Sequence, residues 1–77
     1  MARKQAAQVG RYGAQVWDGP HVLEDVEGTL DQVEVALLEA GFPACAVSRF
    51  RWNMVLDAAK WGGSMTHDGK SYEWVRR

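Results

Sequence analysis

A 77-residue chain with one cysteine, Cys45, cannot be held together by an internal disulfide framework or by a cysteine-based zinc site. Its apolar core must do that alone. A chain of this size buries only about 60% of the surface exposed by its unfolded form, so the core must be compact or completed by a partner. Hydrophobic residues make up 47% of the chain and charged residues 25%, an ordinary globular balance that argues against wholesale disorder. One small domain is expected. The unpaired cysteine fits a reducing, cytoplasmic setting. The longest stretch without charge, Ala40 to Ser48, is too short for a membrane span. Met1–Arg11 is basic but no apolar segment follows, so it does not read as a secretory signal. An enzyme with its own cleft is not expected at this size.

The clearest local signal begins at Thr29. Thr29 and Gln32 form a capping box, and Asp31 suits the positive end of a helix. Leu30, Val33, Leu37 and Ala40 then draw one apolar stripe, Gly41 is a C-terminal stop, and Pro43 bars simple continuation. The spacing predicts a helix over Leu30–Ala40. A short second helix is expected over Ala44–Arg49, burying Val47 and Cys45. A longer third is expected over about Phe50–Trp61, with Trp52, Val55, Leu56 and Ala59 facing the core. Residues 44–61 are equally compatible with one helix. After Gly62-Gly63 the period changes: Ser64–His67 and Lys70–Val75 flank Asp68-Gly69, the signal of a type I′ hairpin. Ahead of Thr29, residues 1–28 read as an arm followed by an extended or short helical segment. Val9–Trp17 is suited to a short strand, Asp18-Gly19-Pro20 to a turn, and His21–Glu27 to a helical turn or linker.

Helix, short helix, longer helix and an Asp-Gly hairpin follow the order of a winged helix-turn-helix domain. Over Thr29–Arg77 the chain resembles that family: Leu37–Pro43 closes the first helix, Trp52–Lys60 stands as the recognition-type helix, and His67–Trp74 is the wing. Asp57 and Ala58-Ala59 dilute the basic character such helices often carry. The resemblance implies an α+β fold, three helices followed by a C-terminal β-hairpin, and a module that binds DNA or protein.

Charge is segregated along the chain. Between Arg11 and Arg49 there is no Lys or Arg, while Asp18, Glu24, Asp25, Glu27, Asp31, Glu34 and Glu39 all fall there; the net charge is −1. An acidic and a basic face are therefore expected, against the simpler possibility of solvated charges paired across the fold. On the basic side, Arg49, Arg51, Asn53 and Lys60 surround the expected third helix. Arg and Asn are the side chains that pair bidentately with guanine and adenine. His67 and Lys70 flank the wing tip, and Arg3 and Lys4 sit on the arm, placed to reach phosphates or a minor groove. The leading expectation is a small non-enzymatic regulator that binds double-stranded DNA, acting as a homodimer because one such module makes few phosphate contacts.

The second expectation is a phage or mobile-element protein that binds and modulates a host protein through its acidic helix and exposed tryptophans. Trp17, Trp52, Trp61 and Trp74 are many for so small a core, Trp and Arg are favoured interface anchors, and Trp17 and Trp61 are the better candidates for partial exposure. A third is a subunit that assembles with copies of itself. No cofactor is expected. His21 and His67 make no metal-ligand spacing, Gly10 and Gly13 no dinucleotide loop, and Ser48, Ser64 and Ser71 no nucleophile elbow. Cys45 with a distant His forms a nucleophile pair only in principle; a buried structural cysteine is the simpler reading.

Overall fold

A computed structural model describes residues 11–56 and 60–77. Strands β1 (Tyr12–Asp18) and β2 (His21–Gly28) come first, then helices α1 (Leu30–Glu39) and α2 (Ala44–Leu56), then strands β3 (Gly62–His67) and β4 (Lys70–Arg76). The strands form one antiparallel sheet in the order β2-β1-β4-β3. Two helices and this four-stranded sheet overturn the expected winged-helix-like arrangement of three helices and a terminal hairpin. Two changes account for the difference. Residues 44–56 are one continuous helix, and His21–Gly28 is a strand, not a helical turn.

Both hairpins obey turn chemistry. Gly19, at φ 61°, precedes Pro20 between β1 and β2, matching a turn that needs Gly first. Asp68 and Gly69, at φ 55° and 81°, join β3 to β4 as a type I′ connection requires. α1 starts as its sequence dictates: Thr29 Oγ1 accepts from the Gln32 amide at 3.2 Å, and the Gln32 side chain accepts from the Thr29 amide at 2.9 Å. Gly41, at φ 98°, follows the C-cap Ala40.

Strand register places Tyr12, Ala14 and Val16 of β1 on the same face as Tyr72 and Trp74 of β4. That face is buried, and the helices cover it with Val33 and Leu37 from α1 and Ala46, Val47, Phe50 and Met54 from α2. Aromatic rings join the layers: Phe50 lies 5.5 Å and Phe42 6.0 Å from Tyr72, centroid to centroid, and Tyr12 meets Trp74 edge-on at 5.9 Å. No described helix is long and apolar enough to cross a membrane.

α2 turns a different face inward from the one expected. Trp52, Val55 and Leu56 were the anticipated core contacts; all three are exposed, while Ala46, Val47, Phe50 and Met54 are buried. Ala59 lies outside the described residues. Cys45, read as buried, is exposed.

Candidate functional site

The flank of α2 that overlies β3 is where unusual side chains gather. Cys45, Arg49, Asn53 and Leu56 follow one another at helical spacings of three and four, and Trp52 lies three residues after Arg49 and four before Leu56, so they share a side. Two contacts tie that side to the sheet. At its start, Arg49 Nη1 lies 3.4 Å from His67 Nδ1. A guanidinium only donates, so His67 Nδ1 accepts and its Nε2–H points to Cys45 Sγ at 3.9 Å. Further along, Trp74 Nε1 donates to Asn53 Oδ1 at 2.8 Å. A Cβ built on Gly63 would stand 2.9 Å from that indole nitrogen and 3.2 Å from the Asn53 oxygen, so the strand passes here only because residue 63 has no side chain.

Exposure rises toward the far end of this flank: Trp52 is 59% exposed, Leu56 74% and Trp61, just before β3, 81%. Val55 adds a further exposed apolar side chain. Isolated apolar residues on a surface are unremarkable, but Trp52 and Leu56 one turn apart on α2, with Trp61 beside β3, mark an interaction surface.

β3 itself is an edge strand, paired only with β4. Trp61 accepts from the Arg76 amide at 2.8 Å. By alternation of an antiparallel ladder, Gly63, Met65 and His67 then turn their backbone groups toward β4, and Gly62, Ser64 and Thr66 turn theirs outward. No charged residue stands between Gly62 and Thr66. The opposite edge differs. β2 carries Glu24, Asp25 and Glu27, and its pairing with β1 shifts register between Val16 and Trp17, leaving Leu23 as the extra residue. Charge and bulges are the devices that stop an edge strand from recruiting another. β2 has both and β3 has neither.

The residues expected to bind DNA are divided by the fold. Arg49, His67 and Lys70 come together at one corner, with His67 and Lys70 as register partners beside the hairpin turn. Arg51 faces the other way, donating to Asp31 and Glu34 of α1 at 2.8 Å each. The hydrogen bond to Asp31 leads in raising its pKa, opposed by burial and aided by the charge of Glu34. Asn53 is occupied by Trp74. Lys60 lies between α2 and β3 in the chain. Arg3 and Lys4 lie outside the described residues. The signal missed in the sequence is the Arg51–Glu34 and Arg51–Asp31 complementarity, which pairs a basic residue on one helix with acids on the other.

Among the described residues no group of His, Cys, Asp and Glu can hold a metal ion. A groove beside His67 is lined by Phe42, Tyr72, Asp68 and Lys70. Tyr72 titrates above its ordinary value near 10.0, pushed up by burial first and then by the charges of Cys45 and Asp68. Comparison with protein-family models, curated proteins and solved structures finds no match for this chain.

Proposed function

We propose that this chain is a non-enzymatic protein-interaction module that docks through the outer flank of α2 and the adjoining edge of β3. The observation that carries the reading is the concentration of exposed Trp52, Leu56 and Trp61 at that edge. Large aromatic and aliphatic anchors of this kind supply most of the binding energy where protein surfaces meet, and an unguarded strand edge supplies main-chain hydrogen bonds to an added strand. Arg49, beside the same strand, favours a partner that brings a carboxylate or an aromatic ring near that end.

Double-stranded DNA is the weaker reading. It retains Arg49, His67 and Lys70, but Arg51 is neutralised by two carboxylates and Asn53 is turned to the Trp74 indole. Few phosphate contacts remain, and affinity for duplex DNA scales with their number.

Selection from a displayed library of random peptides tests the proposal. Extended apolar peptides are expected to emerge, and the Trp52→Glu and Leu56→Glu variants are expected to lose them while keeping the wild-type circular dichroism spectrum. Selected peptides that bind both variants as tightly as the wild type refute it. A mobility shift on random duplex DNA at low salt, abolished by Arg49→Ala together with Lys70→Ala, would instead restore the nucleic-acid reading.

A further inference from the structure

The geometry points to a second copy of this chain as the occupant of the β3 edge, the two strands pairing antiparallel about a two-fold axis at Ser64; this rests on the reading of that edge as a docking surface. The outward backbone groups select the register. Centring on Ser64 lets Gly62, Ser64 and Thr66 all exchange hydrogen bonds with the mate: Gly62 with Thr66 of the second copy, Ser64 with Ser64, Thr66 with Gly62. Shifting the centre by one residue leaves either Gly62 or Thr66 without such a partner.

The side chains agree with that register. On the helix-covered face Met65 comes opposite Gly63 of the second copy, a long flexible side chain over a residue with none. His67 comes opposite Trp61 of the second copy, which gives the most exposed tryptophan a partner and places Arg49 near its ring. Asn53 sits level with Gly63, so Trp52 beside it lies close to the axis and faces Trp52 of the mate. α2 lies over β3 and β4. With strands about 4.8 Å apart, the two copies of α2 would run antiparallel roughly 10–14 Å apart. That is slightly wider than bare helix packing, and Trp52 and Leu56 fill the difference.

Charge favours this edge and no other for self-pairing. The strand brings no acid to the axis, and the two Arg49 side chains stay about 20 Å apart, three residues of strand to either side of it. β2 pairing with itself would instead oppose Glu24, Asp25 and Glu27 to their own copies. The product would be a single continuous sheet, all four α helices on one face, with the bulged acidic β2 at both outer edges.

Light scattering and sedimentation equilibrium on the full chain read the association directly. A concentration-dependent mass of twice the chain is expected. Ser64→Pro removes an outward N–H without touching the β4 ladder; it and Trp52→Glu are each expected to raise the dimer dissociation constant at least about tenfold. Ser64→Cys in a Cys45→Ser background is expected to oxidise to a covalent dimer, since residues exchanging both hydrogen bonds stand about 5.5 Å apart at Cα. A wild-type chain that stays monomeric up to its solubility limit overturns the proposal, as does a dimer that survives Ser64→Pro or a mass that grows without closing at two. A monomer that still binds selected peptides through Trp52 overturns only the choice of partner; a monomer that binds none overturns the docking surface as well.

Discussion

Asn53→Ala separates a base-reading role for this residue from a structural one. Asn53 Oδ1 accepts from Trp74 Nε1 at 2.8 Å, and Trp74 is 2% exposed. Deleting the amide leaves the N–H of a buried indole without its acceptor. The net value of a hydrogen bond, about 0.5–1.5 kcal/mol, is therefore the lower bound, and the cost of an unsatisfied buried donor, about 1–3 kcal/mol, is the relevant range. A chain of this length has a total stability of roughly 4–12 kcal/mol, so the variant loses a sizeable part of it. The melting temperature should fall by about 5–20 °C. Urea unfolding at fixed protein concentration, followed by circular dichroism, measures the loss with little change in slope. In a double-mutant cycle, Trp74→Phe should recover about 0.5–1.5 kcal/mol as coupling. A loss below about 0.3 kcal/mol, or no coupling to Trp74, would refute the structural assignment.

Arg51→Ala tests the other reassigned residue. Its carboxylate partners are partly or largely exposed, so the expected cost is at most about 1 kcal/mol and should shrink in high salt; a loss insensitive to salt would contradict an ion-pair role. Tyr72 supplies a pH dependence. Its folded pKa is raised, so the neutral ring contributes stability that is complete below the unfolded value near 10.0 and lost as pH rises through the higher folded value. Tyr72→Phe should flatten that alkaline decline in chemical-denaturation stability, and Cys45→Ser should lessen it, because the thiolate charge is one of its causes.

Legibility in the sequence followed how local the cause was. The capping box at Thr29 and Gln32, the stop at Gly41 and the Asp68-Gly69 turn depend on atoms within four residues of each other, and the structure has each. β2 failed for a definite reason. It is an edge strand with a bulge, and Val22, Leu23 and Val26 fall at spacings that imitate a helical turn when the alternation of a half-buried strand is broken. α2 failed in phase and not in kind. It carries two apolar faces, Ala46/Val47/Phe50/Met54 and Trp52/Val55/Leu56, and periodicity alone ranks the larger residues first.

The choice between those faces was made by the sheet. Trp74 and Tyr72 are the largest buried side chains of the sheet, and Phe50 packs on Tyr72 with Val47 and the small Ala46 in the same core. That one rotation of α2 sends Arg51 to the acids of α1, Asn53 to the Trp74 indole and Trp52 to solvent. The residue types, the helix caps and the turns are local chemistry and belong to the sequence. Which arginine is neutralised, which tryptophan is left exposed and which strand edge lies open are set by packing between elements far apart in the chain, and they belong to the tertiary structure.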